Sequence, residues 1–249
     1  MNQNNAFFRF YRELNDFLPE PKKNAIITYR FNGNPSVKDA IEAIGVPHVE
    51  VDIIMINGAS VRFSHPLKNG DRVEVWPGFN DLSGSDVIHL LKKHRGEIRY
   101  ILDVHLGRLS RLLRLIGFDT LYRNDYTDAE IIKIAREERR VILTRDIGIL
   151  KVGEVKEGYW IRSQHPRKQL LEIVERFDLR TKMKPFHRCM ICNGIILTVD
   201  KESIDRYLEP GTRKYYREFF RCSSCGNVYW KGSHYYRMKG IVEEIISGE

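Results

Sequence analysis

The sequence predicts an α/β protein whose core is a parallel sheet, preceded by a small α+β module and followed by a four-cysteine module. Between residues 98 and 178, short apolar runs alternate with amphipathic helical patterns, which is typical of parallel strands covered by helices. Residues 6–77 instead contain five strand-like runs and a single helical pattern. The cysteines lie beyond residue 180, in two C-x2-C pairs. These patterns indicate three structural parts.

The first module has the element order ββαβββ, which suggests a β-grasp, ubiquitin-like fold. Its helix is predicted to begin after Ser36, a good capping residue, and to end before Gly45. Asn57-Gly58 is a strong signal for a hairpin turn. We expect this domain at residues 1–79 and a connector at 80–97. Its strands are predicted at Ala6–Tyr11, Ala25–Phe31, Val51–Ile56, Val61–Phe63 and Arg72–Trp76.

The α/β core is expected at residues 98–180. A stripe of leucines predicts a helix that ends at Gly117. The capping-box sequence at Thr127 predicts the start of a second helix, and Pro166–Phe177 predicts a third. The core strands are predicted at Tyr100–Leu102, Phe118–Tyr122, Val141–Leu143 and Tyr159–Ile161.

Acidic residues recur where the core elements change over. Asp103 follows the first core strand, Asp146 follows the third, and Asp125 and Asp128 flank the start of a helix. The carboxyl ends of parallel strands line the ligand crevice of an open sheet, and carboxylate oxygens suit magnesium and manganese. Each acid also has a structural alternative as a helix cap or as a partner of the helix dipole. As a set, the acids predict a site for Mg or Mn that could act on a phosphodiester.

The positive charge of the chain is concentrated beside these acids. Residues 1–82 contain nine basic and ten acidic residues, whereas residues 83–249 contain 32 basic and 23 acidic ones. Such a field favours a polyanion, with nucleic acid as the first candidate. Arg108, Arg111 and Arg114 recur every three residues on the predicted helix, where they could form a solvated face or contact phosphates. Arg108, Arg111 and Arg145 are the candidate RNA contacts.

The last part is predicted to be a zinc ribbon at residues 181–249. Cys189 and Cys192 form one C-x2-C pair, Cys222 and Cys225 form a second pair, and 29 residues separate the two pairs. This spacing is typical of structural zinc held by four thiolates, and two disulfides are the alternative. Aromatic and basic residues crowd the second pair, where they could stack on bases or simply fill the ribbon core. The end of the chain predicts a loop and a short helix.

The sequence also predicts where the protein works. No apolar run approaches the roughly 18 residues of a membrane span. The N-terminus lacks the basic start and long apolar stretch of a signal peptide. We therefore expect a cytoplasmic protein without a membrane segment.

Two long stretches resemble a known pair of domains. LDVHLGRLSRLLRLIGFDTLYRNDYTDAEIIKIA followed by VILTRD, together with CMIC and CSSC, is similar to the Mut7-C ribonuclease domain, a relative of PIN nucleases with a zinc ribbon after its core. FRFYRELNDFLP and the segments SVKDAIEAIGVPHVEVDIIMINGASVRF and GDRVEVWP resemble the ubiquitin-like domain that is often fused in front of it. KGSH at residues 231–234 also resembles the family pattern.

The resemblance implies a PIN-like fold and metal-dependent cleavage of RNA. Asp103 and Asp146 match the acidic positions of the family best. For the acidic position between these two, we predict Asp128, and Asp125 and Glu130 are the alternatives. The near-neutral N-terminal domain suggests recognition of a protein partner rather than chemistry.

Two other classes of function remain open. The protein could be a non-catalytic RNA-binding or regulatory module with structural zinc, in which the acids serve as caps. A sulfur carrier or conjugation protein is a second alternative, because such carriers share the β-grasp fold. A carrier of that kind needs a free C-terminal Gly-Gly, whereas here the domain ends in Trp76-Pro77-Gly78-Phe79 and continues into the chain.

Overall fold

The computed structural model describes residues 3–78, 86–91 and 96–248. The chain divides into two compact units, each built from two separate stretches of sequence. Unit 1 contains Met1–Glu97 and Asp128–Trp160, and unit 2 contains Ile98–Thr127 and Ile161–Glu249. The domain limits given above stay a prediction, because this division passes through the expected core.

The N-terminal part of unit 1 forms a five-stranded sheet with one α-helix. The sheet order is β2-β1-β5-β3-β4. Strand β1 runs antiparallel to β2 and parallel to β5. Short 3-10 turns occur at Arg12–Phe17, Glu20–Lys22 and His48–Glu50. The regular elements are β1 (Asn4–Phe10), β2 (Ile27–Phe31), α1 (Val37–Ile44), β3 (Val51–Ile56), β4 (Ala59–Ser60) and β5 (Arg72–Pro77).

The predicted start and end of helix α1 are confirmed. The Ser36 hydroxyl accepts a hydrogen bond from the Asp39 N–H, and the Asp39 carboxylate accepts one from the Ser36 N–H, which completes a capping box. Gly45 ends the helix with a φ of 129°, a conformation that favours glycine. One face of α1 is buried against Phe8, Phe10 and the other apolar residues of this core.

The predicted hairpin is present, but its second strand is shorter than expected. Asn57 and Gly58 adopt φ values of 51° and 85°, as a two-residue turn of this kind requires. The expected strand at 61–63 is wrong, because β4 ends at Ser60. The carbonyls of Phe63 and His65 instead accept hydrogen bonds from the first N–H groups of α1, at 3.3 and 2.8 Å. These N–H groups have no partner inside the helix, and the chain turns to satisfy them.

The described part of the connector lies against the N-terminal sheet. Leu90 N–H donates to the Asp52 carbonyl at 2.8 Å, and Leu91 N–H donates to the Asp52 carboxylate at 2.9 Å. His89 Nδ1 lies 2.7 Å from the same carboxylate. The sequence DVIHLLKKHRG at residues 86–96 could add a short basic helix, but residues 86–91 contain none, and residues 92–95 lie outside the described residues.

Strands and helices then alternate, as the sequence predicts. In unit 2, β6 and β7 pair in parallel, with Arg99 opposite Asp119. In unit 1, β8 and β9 also pair in parallel, with Ile142 opposite Gly158. The residues directly after Asp146 form a one-turn helix. The elements are β6 (Arg99–Leu102), α2 (Gly107–Leu115), β7 (Asp119–Leu121), α3 (Asp128–Glu138), β8 (Val141–Thr144), α4 (Ile147–Leu150), β9 (Gly158–Trp160) and α5 (Pro166–Arg176).

The four-cysteine part of unit 2 forms a three-stranded antiparallel sheet with the order β10-β11-β12. Its apolar core is small and centres on Ile204, Leu208 and Phe219. The last helix has 15 residues and is therefore much longer than predicted. The elements are β10 (Ile196–Val199), α6 (Lys201–Ile204), α7 (Pro210–Tyr215), β11 (Phe219–Cys222), β12 (Val228–Trp230) and α8 (Ser233–Ser247). No helix among the described residues has the length and apolar character needed to cross a membrane.

Candidate functional site

Asp103 stands directly after β6 and is 5% exposed. Its Oδ1 accepts a hydrogen bond from the His105 N–H at 2.9 Å and so caps the 3-10 turn Val104–Leu106. The predicted position at a strand end is therefore confirmed. The capping role that the sequence left open is present as well.

Asp146 has a similar arrangement in unit 1, two residues beyond the end of β8. Its N–H donates to the Thr144 hydroxyl at 2.8 Å, and its Oδ1 accepts from the Gly148 N–H at 2.7 Å, which caps α4. A Cβ at position 148 would lie 3.0 Å from this oxygen, so glycine suits the close approach. Among the described residues, Oδ2 of Asp146 has no hydrogen-bond partner, which leaves it available to a ligand.

The candidates for the middle acid differ in their surroundings. Asp125 is exposed, and Arg123 Nη2 donates to its carboxylate at 2.6 Å, which lowers the pKa of Asp125. Asp128 is the exposed first residue of α3, and no hydrogen bond joins its carboxylate to the described part of the chain. Glu130 is also exposed on α3. Asp103 and Asp125 belong to unit 2 while Asp128 and Asp146 belong to unit 1, so the grouping of the acids stays a prediction.

The turn that carries Asp146 is held by a residue that the sequence analysis did not single out. The indole Nε1–H of Trp160 donates to the Arg145 carbonyl at 3.2 Å. The backbone N–H of Trp160 donates to the Glu50 carboxylate at 2.6 Å, and the rings of Trp160 and Phe17 lie 5.2 Å apart. Glu50 is 1% exposed and precedes β3. Within unit 1, the N-terminal sheet domain therefore supports the strand beside the Asp146 turn.

We expect Trp160→Phe to lower the free energy of unfolding by about 1 kcal/mol more than Trp76→Phe does. Each change shortens a half-buried indole, but only Trp160 loses a hydrogen bond to a carbonyl. The Trp76 Nε1 is buried without a hydrogen-bond partner among the described residues, so Trp76→Phe is the matched control. Urea unfolding followed by circular dichroism measures both. Equal losses would show that the Arg145 contact contributes nothing to stability.

The arginines of α2 have two different roles. Arg108 and Arg111 are exposed and line a cavity of about 530 Å³. Arg114 is 4% exposed, and its guanidinium donates to the carbonyls of Thr120, Met190 and Ile191 at 2.8–3.2 Å. Burial lowers the pKa of Arg114. The solvated face considered for Arg114 is therefore wrong, and a phosphate contact of Arg114 stays a prediction. Arg145 is half-buried in unit 1.

The four cysteines meet at one place in unit 2. Their Sγ atoms lie within 4.8 Å of one another, with Cys189 and Cys225 at 3.7 Å and Cys192 and Cys222 at 3.4 Å. All four are free thiols, which disfavours the alternative of two disulfides. Four sulfur ligands at such distances could hold a zinc ion.

The thiols of this cluster are not equivalent. Burial raises the pKa of Cys189, but hydrogen bonds from the Tyr229 hydroxyl and from the N–H groups of Ile191 and Cys192 outweigh it and lower the pKa to about 7. A backbone hydrogen bond from Asn227 lowers the pKa of Cys225, but burial and the neighbouring thiols raise it to about 12. The four sulfurs therefore do not ionise together unless a cation compensates their charge.

The first cysteine pair is bound to the α/β part of unit 2. Besides the Arg114 contacts, the Asn193 side chain accepts from the Thr120 N–H at 3.0 Å and donates to the Asp119 carboxylate at 2.9 Å. Lys184 N–H donates to the Ile116 carbonyl at 3.0 Å, where Gly117 adopts a φ of 98°. A Cβ on Gly117 would collide with the Lys184 backbone, so glycine is required.

The aromatic residues of the ribbon divide between the two roles proposed for them. Phe219 is 1% exposed in the ribbon core, whereas Tyr215 is 73% exposed. Arg206 and Arg221 lie over the ring of Tyr207 at 4.7 and 5.5 Å. The aromatic cluster is therefore partly a core and partly an exposed surface.

The fold and the cysteine cluster define an α/β protein with an N-terminal sheet domain and a four-cysteine module that could hold a metal ion. Residues 98–242 match the family model described as the Mut7-C RNAse domain, and residues 3–83 match the model described as Mut7-C ubiquitin. The chain belongs to the Mut7-C RNAse domain family, with a Mut7-C ubiquitin domain in front. Among curated proteins and solved structures, no significant match was found.

Proposed function

We propose that this protein is a ribonuclease that hydrolyses RNA phosphodiester bonds with magnesium or manganese held by Asp103, Asp128 and Asp146. The observation that carries the proposal is the match of residues 98–242 to the Mut7-C RNAse domain, because this stretch contains all three acids. The basic surplus beyond residue 82 supports RNA as the polyanion.

The fold part of the proposal is a PIN-like core at residues 98–180, between a β-grasp domain at 1–79 and a zinc ribbon at 181–249. In such a core, the parallel pairs β6–β7 and β8–β9 belong to one sheet, and the acids after β6 and β8 share its carboxyl edge. The sheet order of the N-terminal domain, with β1 parallel to β5 in its middle, supports the β-grasp assignment.

Asp146 and the middle acid then have defined tasks. Asp146 uses Oδ1 for its cap and offers Oδ2 to a cation. Asp128 brings a carboxylate at the start of α3, and Asp125 is the alternative if its pair with Arg123 opens. A bound magnesium or manganese would supply an activated water and would neutralise charge on the phosphate. Arg108, Arg111 and Arg145 orient the RNA by contacting its phosphates.

A metal titration tests this function. The full chain is stripped with chelator and incubated with labelled single-stranded and structured RNA while magnesium or manganese is added back. We expect cleavage only in the presence of the metal, with zinc in the ribbon retained throughout. Cleavage in excess chelator would exclude the carboxylate-held metal as the source of the activity.

The second candidate is a non-catalytic RNA-binding or regulatory module. It is favoured by the observation that Asp103 and Asp146 both cap short helices. Under this alternative the chain binds RNA, cleaves none of it under any metal condition, and shows no magnesium or manganese binding in a calorimetric titration. The N-terminal domain would recruit a protein partner under either alternative.

A further inference from the structure

A cavity beside α2 has the chemistry of an anion site. Its volume is about 530 Å³, within the range of about 300–1,000 Å³ that small-ligand pockets occupy. None of the described residues that line it is acidic, and most carry a hydrogen-bond donor. The lining consists of Val104, His105, Gly107, Arg108, Ser110, Arg111, Arg114, Tyr122, Gln164, Pro166, Gln169 and Ile191.

Among the described residues, the two exposed arginines of this cavity have no carboxylate partner. Arg108 and Arg111 are three residues apart and therefore neighbours on the surface of α2. Neither forms an ion pair or hydrogen bond with another residue in the described ranges. The first turn of α2 also lacks an acidic residue. Arg108 thus stands at the end of the helix where the dipole disfavours a cation.

Repulsion between the two neighbouring arginines and the lack of an acidic residue in the first turn both destabilise α2, and a bound anion would offset both. A phosphate group would bind two guanidinium groups through charge-assisted hydrogen bonds. It would also complement the positive end of α2. His105 and Gln164, both exposed on the cavity wall, add further polar groups.

The depth of the cavity indicates a ligand larger than a single phosphate group of an RNA backbone bound at the surface. Ser110 and Gln169 are 1% and 5% exposed and lie in its wall. Tyr122, Pro166 and Ile191 give it an apolar side. Gly107 allows the Tyr122 ring to approach the start of α2, because a Cβ there would lie 2.7 Å from the phenol oxygen. A polar, basic side and an apolar side together suit a whole nucleotide.

We propose that this cavity binds the terminal nucleotide of an RNA through its end phosphate. Two unpaired arginines match the two negative charges of a phosphomonoester better than the single charge of an internal phosphodiester. The inference rests on the proposed function, because it takes RNA as the substrate, and it makes RNA with a phosphorylated end the preferred form. Val104, which lines the cavity, directly follows the proposed catalytic residue Asp103 in the chain.

Binding measured in chelator tests the cavity independently of cleavage. Fluorescence anisotropy compares one RNA sequence with a 5′-phosphate, with a 3′-phosphate and with hydroxyl ends, using the full-length protein. We expect one of the phosphorylated forms to bind about tenfold more tightly than the hydroxyl form. The double variant Arg108→Gln/Arg111→Gln should reduce this ratio to below about twofold. The control Arg62→Gln, an exposed arginine of the N-terminal domain, should leave the ratio unchanged.

Equal binding of all three RNAs by the wild type, or no binding of any, would overturn the proposal. A phosphomonoester could come from the end of an RNA or from a free nucleotide. A calorimetric titration with adenosine 5′-monophosphate distinguishes the two. If this mononucleotide binds through Arg108 and Arg111 while RNA ends make no difference, the ligand is a free nucleotide and the assignment to RNA ends is wrong. The proposed nuclease fails on a different result, namely RNA cleavage that is independent of metal.

Discussion

Asp103→Asn and Asp146→Asn are each expected to reduce RNA cleavage by roughly 100-fold or more while the protein stays folded. Even the outer partners of a metal site commonly contribute about 10–100-fold, so the loss of a direct ligand should cost at least as much. Asparagine keeps the Oδ1 acceptor, so the caps at His105 and Gly148 should survive. The measurement is metal-titrated cleavage alongside thermal unfolding of each variant.

RNA binding provides an internal check on these two variants. It should persist or tighten, because each change removes a negative charge near the phosphates, and it should still weaken with salt. The matched control is Asp39→Asn, which changes another helix-capping aspartate, in the N-terminal domain. Undiminished cleavage by both Asp103→Asn and Asp146→Asn would contradict the mechanism.

The same assay assigns the middle acid. We expect Asp128→Asn to lose cleavage and Asp125→Asn to keep most of it. The reason is that the Asp125 carboxylate is already paired with Arg123, whereas that of Asp128 has no such hydrogen bond among the described residues. The reverse result would make Asp125 the ligand. It would then require the Arg123 pair to open when the metal binds.

Local signals in the sequence predicted most of the elements. Helix α1 begins after Ser36 and ends before Gly45, and Asn57-Gly58 forms the turn between β3 and β4, as predicted. These signals are local, because capping and turn formation depend on residues within a few positions of one another. The placement of Asp103 and Asp146 just after strands followed from apolar runs and their ends. The clustering of the four cysteines followed from the C-x2-C spacing.

The misjudged features depend on partners far away in the sequence. Arg114 was expected on the surface with Arg108 and Arg111, because helical spacing alone does not show that it meets carbonyls 76 and 77 residues later. Glu50 gave no signal, since its partner Trp160 lies 110 residues away. The length of α8 was underestimated because Gly240 lies in the middle of the segment and glycine disfavours a helix interior.

Removal of the proposed zinc ion is expected to unfold the ribbon. Coordination by four thiolates supplies on the order of 10 kcal/mol to small zinc modules, and the ribbon has only a small core around Ile204, Leu208 and Phe219 to replace it. We therefore expect elemental analysis to detect no zinc in Cys189→Ser. The substitution should also remove the hydrogen-exchange protection of β10, β11 and β12. Ser223→Ala, a change of an exposed residue between two of the ligands, is the control that should keep both.

The loss should extend beyond the ribbon into the α/β part of unit 2. Arg114 is buried against the Met190 and Ile191 carbonyls of the first cysteine pair, and Asn193 accepts from the Thr120 N–H. When the pair loosens, the guanidinium loses two acceptors in a buried place, which is costly. Amide exchange at Thr120 should therefore speed up in Cys189→Ser, while exchange in β1 and β5 of unit 1 stays slow. Purified protein without zinc would contradict the proposed metal site. If the ribbon of Cys189→Ser unfolds while amide exchange at Thr120 in β7 stays unchanged, the coupling between the ribbon and the α/β part is contradicted.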